Sequence, residues 1–144
     1  ILRNYGLYAA IQNICNKIEK YYSIEFISNI NDIRFDEDIE ISIYRILKEL
    51  INNTLKHSNA SKIEIKLIHK KKKILLDYSD NGIGFNKAIL KEKLKTGMGI
   101  SNIISRAKTL NASYEIITDL NKGFKFIMEI PIITTNKNDL KWKK

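Results

Sequence analysis

Three short stretches carry residue types that could do chemistry together. In Ile74–Phe85, an apolar run rich in β-formers stops at Asp80-Asn81-Gly82 and is followed by Ile83-Gly84. That is a strand ending in a tight turn, with glycines that let backbone approach another molecule closely. Asp80 stands at the mouth of the turn, where a carboxylate can accept from the exocyclic amine of a flat ligand such as a purine. A plain Asx turn with Asn-Gly chemistry is the alternative for this stretch taken alone. The second stretch is Glu49-x-x-x-Asn53-x-x-Lys56-His57. Helical spacing puts Glu49 and Asn53 one turn apart, with Lys56 following on the same face. A carboxylate, an amide oxygen and an ammonium then address one point. Adjacent Asn52 and Asn53 in mid-helix cost roughly a few tenths of a kcal/mol each, which calls for compensation. A solvated polar face is the alternative here. In the third stretch, Gly97-Met98-Gly99 opens a helix at Ile100. Glycines before a helix leave amide N–H groups pointing outward along a favourable dipole, an anion site suited to phosphate. A hinge before an ordinary helix is the alternative, and one Gly-x-Gly is weak evidence alone.

The elements that must position these stretches follow from periodicity. Gly6–Tyr22 has Leu7, Ile11, Ile14, Cys15 and Ile18 at helical spacing, and Ile24–Ile30 alternates as a strand. Asn31–Asp38 is turn-like, with Asp36 as N-cap and Glu37 and Asp38 in the first turn of a helix over Ile39–Lys56. Ile39, Ile43, Leu47, Leu50 and Thr54 form that helix's apolar stripe. Lys62–Ile68 and Lys73–Ser79 read as a hairpin whose tip is the basic run Lys70–Lys73. The lysines there form a solvated tip that discourages edge pairing. Asn86–Thr96 reads as a short helix or a lid. Ile100, Ile103, Ile104, Ala107 and Leu110 give the next helix its apolar face. Tyr114–Thr118 and Phe124–Ile132 are strands joined by a loop ending in Gly123, and Pro131 sits where a missing N–H matters least.

Composition narrows the class. The chain has 144 residues, 44% hydrophobic and 28% charged, as in one globular domain with a sizeable core. No apolar run spans a bilayer and no signal-peptide pattern opens the chain. The first residue is Ile1, which reads as a piece cut from something longer. One cysteine, Cys15, reads as a buried free thiol. The net charge of +9 is nearly all lysine and scattered, apart from the hairpin tip and the tail. Arginine is scarce, so a solvated basic surface is favoured over a nucleic-acid footprint.

In order along the chain, the three stretches resemble the ATP-binding catalytic domain of sensor histidine kinases. That superfamily also holds gyrase, the Hsp90 chaperone and the MutL repair protein (the Bergerat, or GHKL, fold). Glu49-Leu-Ile-Asn-Asn-Thr-Leu-Lys-His-Ser58 and Gly97-Met-Gly-Ile-Ser-Asn-Ile-Ile-Ser-Arg106 are especially similar to the subfamily paired with helix-turn-helix response regulators. The opening Leu2-Arg-Asn-Tyr-Gly-Leu-Tyr-Ala-Ala-Ile11 is similar to the piece that follows that subfamily's phosphoacceptor helices. The resemblance implies an α+β fold, a two-layer α/β sandwich. Its mixed sheet of about five strands is covered on one face by about three helices. The catalytic domain would span residues 1–133, with residues 1–22 continuing from dimerisation and phosphoacceptor helices, and 134–144 a polar basic tail in which Trp142 is unexplained.

The resemblance also implies roles. Asn53 would bind Mg²⁺, and Glu49 would polarise a water or the attacking group. Lys56 and His57 would meet phosphate oxygens. Asp80 would accept from the adenine amine, with Gly82 and Gly84 letting the base lie on backbone. Gly97, Gly99 and the amides of Met98 and Ile100 would hold phosphates of ATP, under a lid at Asn86–Thr96. All would line one nucleotide-sized hollow. The partners would be the phosphoacceptor helices and a response regulator, with no nucleic acid or membrane contact, in the cytoplasm. The phosphorylated histidine is in neither His57 nor His69. Phe124 stands where such domains have a threonine after Gly123, so a hydroxyl contact near adenine is missing from its usual place. A nucleotide-binding switch of the anti-sigma type is the alternative function, and upstream helices bearing a histidine would separate the two.

Overall fold

Alternation along the strands decides which side of the sheet is buried. The computed structural model describes residues 1–96 and 98–132. It places β1 at Ser23–Ser28, β2 at Lys62–Lys70, β3 at Lys73–Asp80, β4 at Ser113–Thr118 and β5 at Phe124–Pro131. These form one mixed sheet in the order β1-β2-β3-β5-β4, with β1 parallel to β2 and every other pair antiparallel. Ile63, Ile65 and Leu67 of β2, Ile74, Leu76 and Tyr78 of β3, and Phe124, Phe126, Met128 and Ile130 of β5 share one face and are buried. Each such side chain contributes about 1.5–3 kcal/mol when removed from water.

Helices cover that face: α2 (Leu7–Ile18), α3 (Glu37–Asn53) and α5 (Met98–Thr109). Packed against both neighbours, α3 is the central helix, with α2 on the β1 side and α5 on the β4 side. Ile43, Ile46, Leu47, Leu50 and Ile51 make its apolar stripe, joined by Leu7, Ile11 and Cys15 of α2 and Ile103 and Ala107 of α5. The expected sandwich is the one found. Two shorter helices, α1 (Leu2–Tyr5) and α4 (Lys87–Thr96), lie outside this trio. The tail from residue 133 onward, Trp142 included, lies outside the described residues.

Two boundaries differ from the periodicity, each for a tertiary reason. The helix expected over Gly6–Tyr22 runs Leu7–Ile18, and a short helix, α1, precedes it across Gly6, whose φ is 92°. A Cβ there would meet Arg34 Cδ at 2.7 Å, so the chain passes over the arginine only because residue 6 is glycine. Arg34 NH2 donates to the Arg3 carbonyl at 3.1 Å, fastening α1. Its guanidinium also pairs with Glu40 at 3.2 Å. Glu40 is 2% exposed, and its Oε2 accepts the Phe35 amide at 3.0 Å. That carboxylate thus takes an N–H just before α3. Asp36 stands at the N-cap, but its side chain makes no capping bond.

The second difference lies at the other end of α3. The α-helix stops at Asn53, and Thr54–Ser58 forms a π-helical turn that ends at Asn59 in the left-handed region, φ 53°. One extra residue per turn breaks the spacing that would have put Lys56 on the Glu49–Asn53 face.

Candidate functional site

A hydroxyl network holds the end of β3 to the end of α3. Thr54, only 2% exposed, donates from Oγ1 to Asp80 Oδ2 at 2.7 Å. The same oxygen lies 2.5 Å from the Tyr78 hydroxyl and 3.1 Å from the Leu50 carbonyl. Burial pushes the Tyr78 phenol well above its ordinary value, so it stays protonated and able to donate. The other carboxylate oxygen, Asp80 Oδ1, accepts the Gly82 amide at 2.9 Å. Asp80 therefore closes an Asx turn through Oδ1, while its Oδ2 faces the end of α3. Asn81 serves structure: its Oδ1 accepts the amides of Ser61 and Lys62, both at 2.9 Å, and ties β2's start to β3's end.

Beside Asp80, Gly84 has φ +64°, and a Cβ there would collide with the carbonyls of Asp119 and Gly123. Close packing on the β4–β5 loop is thus reason enough for glycine at this position. The loop is secured by Thr118, which accepts the Phe85 amide at 3.0 Å and donates to the Gly123 carbonyl at 2.7 Å.

The third stretch reaches the same place. A Cβ built on Gly99 would lie 3.0 Å from Asn53 Oδ1 and 3.3 Å from Glu49 Oε2. The first turn of α5 thus abuts both polar groups that α3 offers. Leu50, Asn53, Thr54, Asp80, Gly84, Phe85 and Phe124 line one hollow. Its volume is about 20 Å³. That admits about one water molecule and no purine. Of the expected residues, Asn53, Asp80 and Gly84 line this hollow, and Gly99 abuts Asn53. Phe85 and Phe124 meet edge-to-face at 6.0 Å on the apolar side, and Lys93 of α4 sits 5.1 Å over the Phe85 ring.

The remaining residues divide by position. Glu49 and Asn53 are half-buried, and Gly82 is buried beside Asp80. Lys56 is exposed on the π-turn and is not among the lining residues, so the expectation of one α-helical face carrying it fails with the helical register. His57 lies on the same turn, and its side chain is outside the described residues, as are Gly97 and the Met98 side chain. Ile100 is 4% exposed and belongs to the interior, which leaves its backbone amide as the group able to face a ligand. Thr54, Tyr78 and Phe124 were not assigned to the site from sequence. The available signal was a threonine ending an apolar stripe, opposite a strand whose alternation puts Tyr78 and Asp80 on the same side. Among the described residues no group of three His, Cys, Asp or Glu side chains could hold a metal. A cation here would need oxygens from its own ligand, with Asn53 and Glu49 as the protein's oxygen donors.

Residues 38–134 match the family described as "Histidine kinase-, DNA gyrase B-, and HSP90-like ATPase". The chain belongs to that family. Membership in this ATPase family carries ATP binding with it. The chain is 31% identical over 138 residues to the sensor protein VraS of Staphylococcus aureus, covering 96% of this chain and 38% of that protein. It is 31% identical over 133 residues to the oxygen sensor histidine kinase NreB of Staphylococcus carnosus, covering 91% of this chain and 38% of NreB. The chain thus spans well under half the length of these curated relatives. In structure it is similar to the histidine kinase domain of the blue-light activated kinase EL346 from Erythrobacter litoralis. The TM-score is 0.70 at 15% identity, covering 88% of this chain and 61% of the other. The histidine kinase AdeS of Acinetobacter baumannii gives 0.69 at 17% identity, covering 88% and 64%. These likenesses establish that the family's sheet and helix arrangement is the one present here. No helix among the described residues is long and apolar enough to cross a membrane.

Proposed function

We propose that this chain is the ATP-binding catalytic domain of a sensor histidine kinase. Its task is to present the γ-phosphoryl group of Mg·ATP to a histidine on a helical segment outside these residues. The observation that supports the reading is that Asp80 and Asn53 line one hollow and that Gly99 of a third element abuts Asn53. Asp80 accepts from the adenine amine. Asn53 would hold Mg²⁺ through its carboxamide oxygen, and the ion would supply charge neutralisation for the phosphates. The amides opening α5 hold phosphate along the helix dipole, and Lys56 and His57 neutralise further charge from the π-turn. Glu49, beside Asn53, orients the attacking group. In the transfer, an imidazole nitrogen forms the new N–P bond as the β–γ bridging P–O bond breaks and ADP leaves. The protein supplies mainly position and charge. The upstream phosphoacceptor helices and a response regulator are the partners this reading calls for.

Titration calorimetry with ATP and MgCl₂ tests the reading. Asp80→Asn, which offers an NH₂ where adenine needs an acceptor, is expected to weaken ATP by about tenfold or more. Asn53→Ala is expected to remove the Mg²⁺ dependence. Undiminished ATP affinity in Asp80→Asn would refute the assignment.

A further inference from the structure

Asp80 is wired to two hydroxyls, and the wiring has a direction. A carboxylate only accepts, and a hydroxyl carries one proton. The Thr54 oxygen lies nearer to Asp80 Oδ2, at 2.7 Å, than to the Leu50 carbonyl, at 3.1 Å. The Tyr78 hydroxyl is nearer to Thr54, at 2.5 Å, than to the same carbonyl, at 3.2 Å. Protons therefore run from Tyr78 to Thr54 and from Thr54 to Asp80. Aligned hydrogen bonds of this kind polarise one another in a buried setting. Phe124, directly opposite Asp80 on the paired strand, offers no polar group.

We propose that Thr54, oriented by Tyr78, is a positioning and specificity-determining residue for the purine. It acts through Asp80 by committing its only proton to the carboxylate. The proposal rests on the nucleotide reading above and deepens it. A hydroxyl with a free choice could donate to a 6-oxo purine as readily as accept from a 6-amino purine. Committed to Asp80, it has no proton left to offer a 6-oxo group. With Thr54 on Oδ2 and Gly82 on Oδ1, the carboxylate cannot rotate without losing both bonds. Its remaining lone pairs stay aimed at one donor, the exocyclic amine. A purine without that amine would leave them unpaired.

The test compares ADP with the analogue in which hydrogen replaces the 6-amino group, each titrated with the whole chain. Thr54→Val keeps shape and removes the hydroxyl; Thr54→Ser keeps the hydroxyl; Tyr78→Phe removes only the outer donor. Thr54→Val is expected to lose about tenfold in ADP affinity and to leave the analogue within about twofold of wild type. Thr54→Ser should restore ADP binding, and Tyr78→Phe should show a smaller loss, about threefold, again for ADP alone. Equal losses for both ligands in Thr54→Val would show a merely structural threonine and overturn the proposal, as would unchanged ADP affinity or failure of serine to rescue. Wild type that binds neither ligand overturns the nucleotide reading itself.

Discussion

Replacing Phe124 by the threonine its position usually carries in similar domains should damage this protein rather than improve it. Phe124 is 8% exposed, lines the hollow, and packs edge-to-face on Phe85 with ring centroids 6.0 Å apart. Truncating a buried phenylalanine to alanine costs about 3–5 kcal/mol, the aromatic contact included. The threonine methyl returns about 0.8 kcal/mol. The β-branched side chain suits the strand, so no backbone penalty is added. The expected loss for Phe124→Thr is therefore about 3 kcal/mol, a large fraction of the stability of a single domain. For a chain of this size that is a fall of about 10 °C in the melting midpoint. Circular dichroism melts and urea titrations of the two proteins measure it. A fall of less than about 3 °C would mean that the ring is not the apolar floor of the site, and the account of Phe85 and Phe124 would fail with it.

Other perturbations follow from single contacts. Gly84→Ala forces a Cβ into the left-handed region and onto the Asp119 and Gly123 carbonyls, with Thr118 Oγ1 at 2.7 Å. A destabilisation of about 2–5 kcal/mol is expected in urea titration, and a neutral result would refute the loop packing. Glu40→Gln can keep the Phe35 amide bond but turns an NH₂ toward Arg34; about 2 kcal/mol of stability should go. Hydrogen exchange in α1 should rise with it, since Arg34 fastens the Arg3 carbonyl; unchanged exchange would detach α1 from this pair. Burial, helped by Glu19, pushes the Cys15 thiol from 9.0 up to about 11. The neutral thiol is the form the fold favours. Its contribution to stability is whole below pH 9.0 and is lost as pH climbs toward about 11. Near pH 8 (about a unit below the ordinary thiol value) a thiol reagent should label the native chain far more slowly than the urea-unfolded chain.

Strands and helices were legible because their signals are local. Ile63, Ile65 and Leu67 alternate whatever lies nearby, and Ile43, Leu47 and Leu50 recur at helical spacing. What the residue pattern could not show depended on partners distant in sequence. Gly6 separates α1 from α2 with a positive φ, and Arg34, folded in from beyond β1, packs where any larger residue would put its Cβ. Glu40 is an acid in a helix's first turn, yet it is buried because the same arginine meets it. The π-turn after Asn53 coincides with bonds from Thr54 to Tyr78 and Asp80, which no helical periodicity anticipates. Of the candidate site, the nearness of three stretches was legible: Asp80 and Asn53 line one hollow, and Gly99 abuts Asn53. How closely α5 settles on Asn53 was not legible, because it depends on the packing of two helices and on the missing Cβ of Gly99.

The hydroxyl at Asp80 ties these points together. A carboxylate that must read an amine needs its orientation set before the ligand arrives; otherwise binding has to pay for ordering it. Donors can reach Asp80 from two sides: from residue 124, opposite it on β5, or from the end of α3. Here β5 supplies a phenyl ring and α3 supplies Thr54. The exchange has a structural consequence. A donor on β5 would be held by the sheet and would leave the end of α3 unconstrained. A donor on α3 ties that end to β3, with the Leu50 carbonyl shared by Thr54 and Tyr78 in the last α-helical turn. The residue just before it, Asn53, is the one whose carboxamide meets Gly99. The bond to Asp80, the acid proposed to read the base, therefore also fixes the helix end that carries the candidate metal ligand, and on that proposal base and phosphate recognition share one rigid joint.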